Sequence, residues 1–296
     1  MDISASTLPM LYRAFNTAYQ SGFSGVASQW QKIATLVPSG TAQEDYGWLG
    51  DIPAMREWIG DRIINTIKQH GYSIKNKKFE LTQGVDRDKI MDDQLGIYTP
   101  LFQMMGNSAG THPDELIFAL LALGFTTECY DGQNFFDTDH PVMVDGAPVS
   151  VSNVQAGAGA PWYLLDVSRP LRPLIFQQRE KPNFTAMDKA TDQNVFMRDE
   201  YLYGIKCRDN AGFGFWQMAF ASKAELDPTN FEDAYDAMTG LKEDNGQPLG
   251  IRPTLLVVGS TNASAGRKVV EAQLINGGES NTNFKRVELL ECPWLP

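Results

Sequence analysis

Apolar residues recur at helical spacing over one stretch longer than any other in the chain, Asp88 to Gly124. Leu95, Tyr98, Phe102 and Met105, then Ala109, His112, Leu116, Leu120 and Leu123, follow one another at steps of mostly three and four, which places them on one stripe. Pro113 stands in its path, because a helix-interior proline removes a hydrogen bond and clashes with the preceding turn at a cost of about 3 kcal/mol. Two helices, with Thr111 capping the second, would avoid that cost. The stripe keeps its phase across the proline, however, and favours one kinked rod, roughly 40 Å long at about 1.5 Å per residue, with Gly124 as its C-cap.

Ahead of the rod, residues 1–45 are small and polar apart from one amphipathic patch, Leu8, Leu11, Tyr12, Phe15 and Tyr19. This segment reads as an arm, and composition leaves open whether it docks on its own domain or on a partner. Residues 46–60 carry Trp48 and Trp58, with a helical turn expected near Pro53. From 61 to 88 the period changes to two: Tyr72 and Ile74, then Phe79, Leu81 and Val85, lie on either side of a KNKK run. A hairpin or long ribbon is predicted, with Lys75, Lys77 and Lys78 at its tip or flank. Such a ribbon has little to bury at home and is expected to lean on a neighbour. The lysines also suit a solvated face that protects an edge strand.

Beyond the rod, TTECYDGQNFFDTDHPV places Asp131, Asp137, Asp139 and His140 close together, as around a metal. The competing reading is an Asp-Gly turn between two strands, with Phe135 and Phe136 buried and Pro141 as terminator. Residues 141–161 read as loop, and Trp162 to Phe176 as extended segments that Pro170 and Pro173 confine to an edge or bulge. Two antiparallel strands are expected to join around Asp209 to Gly212. A helix with Phe231, Ala234, Tyr235 and Met238 on one face, a buried strand at LLVV, a helix over 262–274, a last strand and a compact tail complete the chain.

The 296 residues, 43% hydrophobic and 11% aromatic, suffice for a substantial core in one or two domains. No apolar run approaches the eighteen or so residues of a membrane span. Three cysteines, Cys129, Cys207 and Cys292, lack C-x-x-C spacing and are expected as packed thiols. A net charge of −11 disfavours tight nucleic-acid binding by the bulk surface, and equally suits a wall that holds DNA without sticking to it. The join GSTNASAGRK is not a phosphate loop, since Gly259 and Gly266 are too far apart and Arg267-Lys268-Val269 replaces Gly-Lys-Ser/Thr. No nucleophile elbow or H-E-x-x-H helix is present.

The blocks YGWLGDIPAMREWIGDR, NKKFELTQGVDRDKIMDDQLGIY, DGQNFFDTDHP, PLIFQQRE, YGIKCRDNAGFGFWQMA, RPTLLVV and VELLECPWL occur in this order. Together they resemble the major head subunit of Mu-like phages and prophages, from about Tyr46 to the C-terminus. The arm matches least, and GSTNASAGRK replaces a more apolar strand-to-helix join.

The resemblance implies an α+β fold of the Hong Kong 97 capsid type. Residues 1–45 would be the N-terminal arm, 46–60 the start of the peripheral domain, 61–88 an extended β-ribbon loop, and 88–124 the spine helix. Residues 125–296 would divide between the peripheral sheet and the axial domain. It further implies pentamers and hexamers that close into an icosahedral head around DNA, without catalysis or cofactor. Partners would be copies of the chain, a separate scaffold or protease, a portal and head accessory proteins, in the virion and, during assembly, the host cytoplasm. Some members of the fold crosslink a loop lysine to a neighbour's asparagine, which is not expected of Mu-like relatives. Intersubunit contacts would fall on Lys75, Lys77 and Lys78, opposite acidic patches, and on Trp48 and Trp58 as apolar anchors. Two alternatives remain: an encapsulin-like nanocompartment shell, and a metal-dependent hydrolase using Asp131, Asp139 and His140.

Overall fold

The computed structural model describes residues 7–47, 49, 71–92, 96–144, 147–242, 246–275 and 277–296. Trp48, Trp58, Leu95 and the turn expected near Pro53 lie outside the described residues. The chain opens with helix α1 (Leu8–Ser24), followed by strands β1 (Ala34–Pro38), β2 (Gln43–Asp45), β3 (Ser73–Lys75) and β4 (Lys77–Asp86). Helix α2 (Arg87–Met91) precedes the long helix α3 (Tyr98–Leu123). Strands β5 (His140–Val144), β6 (Ala147–Val151), β7 (Val154–Gln155), β8 (Trp162–Leu165) and β9 (Leu174–Met187) lead to helix α4 (Gln193–Arg198) and β10 (Glu200–Phe213). Then come β11 (Ala219–Ser222), α5 (Pro228–Thr239), β12 (Leu255–Val258), α6 (Ala263–Val270), β13 (Leu274–Ile275), β14 (Glu279–Ser280) and β15 (Glu288–Glu291).

Two sheets organise these elements. The first has the order β1-β9-β10-β4, with β9 and β10 an antiparallel pair of 14 residues each. Alternation along β10 decides its faces: Tyr201, Tyr203, Ile205, Cys207 and Asp209 are buried, whereas Lys206 between them is exposed. Against the buried face pack α1 and the N-terminal half of α3, through Phe15, Tyr19, Phe102 and Met105. The second sheet has the order β15-β12-β8-β11-β7. Its central strands WYLL, LLVV and AFAS are buried at every position, so they read as continuous runs rather than alternating ones.

Helix α3 joins the two cores as a single 26-residue rod with Pro113 inside it. The predicted continuity therefore holds, but the predicted phase does not. Phe102, Met105 and Ala109 face the first core, and beyond Pro113 the buried positions are Asp114, Ile117, Phe118 and Leu121, with Leu123 exposed. The buried stripe has turned by roughly one residue, about 100°, because the second core lies in a different direction from the first. Asp114 fixes the turn: its buried carboxylate accepts the Gln29 and Trp30 N–H groups at 3.0 and 2.7 Å and the Ser28 hydroxyl at 3.1 Å. Gly124 caps the helix at an ordinary φ of −59°, and glycine is needed there for the close approach of Phe136.

Helix α1 packs on α3 of its own chain. Gly22 and Gly106 let the α1 and α3 backbones touch, since a Cβ on either would fall 2.0 Å from a carbonyl oxygen of the other helix. At this crossing Phe15 stacks on Phe102 at 4.2 Å and Tyr19 on Phe184 of β9 at 5.2 Å.

Several other expectations are corrected. The described part of the 61–88 ribbon is not a hairpin: β3 pairs with β2, whereas β4 is the edge strand beside β10. Buried Asn76 separates them, donating to Ser39 Oγ and Thr41 O and accepting from Gln177 Nε2. Residues 209–212 are no turn, because β10 runs through them with register slips next to Arg208. Across from the slips, Pro182 occupies an irregular stretch of β9 where β1 no longer pairs with it. Pro141 is the second residue of β5 rather than a terminator, and the expected loop 141–161 contains β5, β6 and β7. Pro170 and Pro173 lie in the link between β8 and β9, both of which are internal strands. Helix α6 ends at Val270, short of Leu274.

Candidate assembly surfaces

The acidic segment after α3 brings together only part of its expected set. Asp131 Oδ2 lies 2.7 Å from His140 Nδ1, and the Cys129 thiol donates to Asp131 Oδ1 at 3.1 Å. His140 Nε2 faces Asn153 Oδ1 at 3.2 Å, and the ring stacks on Trp216 at 3.9 Å between centroids. Asn153 in turn ties Phe135 O, Trp216 O and Ala219 O together through its Nδ2. Burial alone would raise the Asp131 carboxyl, but the hydrogen bonds from His140 and Cys129 outweigh it and hold the group below the usual carboxylate range. Both His140 nitrogens are engaged and one ring face is covered, so Cys129, Asp131 and His140 form a structural clamp. Asp139 is exposed and stands outside it, while Asp137 accepts from Asn134 and Thr138. The missed partners, Asn153 and Trp216, are distant in sequence and carry no local signal.

This division predicts opposite outcomes for neighbouring residues. Asp139→Ala is expected to change stability by less than about 0.5 kcal/mol. His140→Ala, which empties a buried and fully hydrogen-bonded site, is expected to cost about 2–4 kcal/mol in urea melts. Comparable losses from both would mean that Asp139 belongs to the clamp.

A second group joins α3 to the four-stranded sheet. His112 Nε2 lies 3.1 Å from Asp209 Oδ1, with the ring 4.4 Å from Phe79 and the Cys207 thiol close to the same aspartate. Burial, then Asp209, pushes the Cys207 thiol up to about 12. These groups border a cleft of about 80 Å3 between β4 and α3, lined by Phe79, Leu81, Ala109, His112 and Ile205, with Lys206 beside them.

The three expected contact lysines fall where β3 gives way to β4. Lys75 ends β3, Lys77 and Lys78 open β4, and all three are exposed. No described residue forms an ion pair with them, unlike Lys206 and Arg208, which share Glu180 at 3.0 and 3.3 Å. Lys206 holds the Glu180 carboxyl below its usual range against an opposing effect of burial, and Arg208 adds to the lowering. No described strand covers the outer edge of β4. At the far end of the sheet, α4 exposes Phe196 (82%) and Met197 (69%). Among the described residues no helix is long and apolar enough to cross a membrane.

Residues 8–295 match the family described as Mu-like prophage major head subunit gpT. Over the full length of both chains the protein is 44% identical to the major capsid protein of Escherichia phage Mu. Over 97% of each chain it is 42% identical to the Mu-like prophage FluMu major head subunit of Haemophilus influenzae. A chain of the procapsid of bacteriophage JBD30 is similar at a TM-score of 0.88 and 51% identity, covering 99% of this chain and 100% of that one. A chain of the JBD30 capsid is similar at 0.80 and 36% identity over the whole of both. For the JBD30 capsid decorated with minor capsid protein trimers the values are 0.78 and 36%, over 99% of this chain and 100% of that one.

Proposed function

We propose, for a chain that belongs to the Mu-like prophage major head subunit family, a head shell built through pentamers and hexamers of this subunit and joined in part through its ribbon lysines. The protein is a structural capsid subunit of the virion head and not an enzyme, with the α+β fold of Hong Kong 97 type found in its relatives. It assembles with itself and other capsid components into the shell. The hydrolase and nanocompartment alternatives are thereby set aside. What carries the reading is full-length likeness, in sequence to the phage Mu capsid protein and in fold to the procapsid chain.

In this reading α1 is the arm, α3 the spine, the four-stranded sheet the peripheral part and the five-stranded sheet the axial part. Lys75, Lys77 and Lys78 meet acidic groups of a neighbouring copy, because exposed ammonium groups on an open edge strand of an acidic chain find their counter-charges most readily there. Trp48 and Trp58 serve as apolar anchors at or near interfaces. Assembly proceeds in the host cytoplasm with a separate scaffold or protease and a portal. A trimeric decoration like that of the JBD30 capsid is among the accessory partners. The acidic wall encloses DNA without reading its sequence.

Each exposed ion pair contributes only about 0.2–1 kcal/mol, but symmetry repeats it around every copy. The combined change Lys75→Glu, Lys77→Glu and Lys78→Glu is therefore expected to lower the yield of closed particles at least tenfold, with the thermal unfolding of the dissociated chain unchanged. Electron microscopy beside gel filtration measures both species. Normal particle yield from the reversed chain would remove the lysines from the interface, and a solitary unaltered chain under all assembly conditions would remove the shell.

A further inference from the structure

The two ends of the four-stranded sheet carry surfaces that complement each other and cannot meet within one chain. Near one end, the cleft between β4 and α3 presents apolar walls, Phe79, Leu81, Ala109 and Ile205, with Glu80 and the Glu180-paired Lys206 at its border and Lys77 and Lys78, which form no ion pair with a described residue, just before it on β4. Its volume of about 80 Å3 compares with about 10–15 Å3 needed by one water on the same measure, so an aromatic ring fits. At the other end, the β9–β10 hairpin closes over α4, and Phe196 and Met197 stand 82% and 69% exposed. That knob is held firmly: Asn194 Nδ2 donates to Met187 O at 2.9 Å and Glu200 O at 2.7 Å, and Asp192 Oδ2 accepts from Lys189 N at 2.9 Å. Its surroundings are acidic, with Asp188, Asp192, Asp199 and Glu200 against Lys189 and Arg198.

The sheet keeps knob and cleft apart. Glu200 pairs with Asp86 at the knob end, and Cys207 pairs with Phe79 at the cleft. Seven residues of extended strand separate those rungs, roughly 23 Å at about 3.3 Å per residue. A paired strand cannot fold back over that distance, so the Phe196 that enters the cleft must belong to another molecule. We propose that Phe196, with Met197 beside it, seats in the β4–α3 cleft of a neighbouring copy, its acidic surround facing Lys77 and Lys78. The apolar knob matches the apolar walls, the two lysines without a described partner answer its carboxylates, and a shell built of this chain brings copies together. The contact is heterologous, knob to cleft, so it propagates around a ring rather than ending at a pair. It rests on the reading of the ribbon lysines as an assembly surface and names what they meet.

The test places one cysteine at each end, Phe196→Cys and Leu81→Cys, in the full chain. Shells are treated with a short bismaleimide, while the three native thiols are buried. A ladder of linked multimers is expected from assembled shells, and none from either single variant. Phe196→Asp is expected to reduce particle yield at least tenfold with unfolding of the dissociated chain unchanged. If the double variant forms no shells, it is co-assembled with an excess of unaltered chain, where a linked dimer is the expected product. Shells without linked species overturn the knob-and-cleft contact even where the triple lysine reversal abolishes assembly, since the lysines then face some other acidic surface. Normal assembly of the lysine-reversed chain overturns the wider reading instead.

Discussion

Gly106→Ala is expected to destabilise the folded chain by about 2–3 kcal/mol, although the same change in an exposed helix would favour folding by about 1 kcal/mol. The added methyl would sit 2.0 Å from Tyr19 O and 2.7 Å from Phe23 N, both backbone atoms that cannot swing aside. Helices α1 and α3 must part, and the separation is felt twice because Gly22 meets Gln103 O in the same way. Parting them loosens Phe15 from Phe102 and opens the buried side of Tyr19. The comparison is Gly40→Ala, where nothing lies within 4 Å of the new carbon and stability should hold or rise slightly. Urea denaturation of the dissociated chain measures both. Equal midpoints would mean that α1 is not seated on α3 in solution.

The second large effect falls on the clamp behind α3. Asp131→Ala leaves His140 against an empty site and removes the acceptor of the Cys129 thiol, and each buried polar group so left unsatisfied costs about 1–3 kcal/mol. The pH dependence follows from the depressed Asp131 carboxyl. Folding favours its ionised form, so its contribution is fully present above the unfolded-chain value of about 3.9 and is lost as pH falls through the lower folded value. As pH falls below that unfolded-chain value, the unaltered chain should therefore lose stability more steeply than the Asp131→Ala chain. Parallel curves would place the acid sensitivity elsewhere.

What the sequence made legible was whatever depends on neighbours in the chain. The α3 rod was readable through Pro113 because its apolar spacing outweighs one missing hydrogen bond. Its change of face was not, because the direction of the second core is set by strands that lie far along the sequence. The Lys-Asn-Lys-Lys run looked like the bend of a ribbon, yet Asn76 is buried by Ser39, Thr41 and Gln177, none of them near it in the chain. Asp-Asn-Ala-Gly at 209–212 has the composition of a turn. Burying Asp209 against His112 and Cys207 keeps it in β10 instead. Asp131 and His140 read as reactive groups from the sequence. Their spacing was informative, but the chemistry was a matter of what closes around them. The exposed Phe196 leaves no trace in the pattern, because a lone aromatic in a short helix carries no period.

One feature of the interior bears on how such a wall ages. Cys129, Cys207 and Cys292 are all buried, and burial pushes the thiols of Cys207 and Cys292 up to about 12. A particle multiplies every side chain by its number of subunits, so three accessible sulfurs per chain would form a dense field for accidental bonding once the particle left a reducing cell. Kept protonated and out of reach, they let the container pass into air and oxidant with its bonding pattern unchanged.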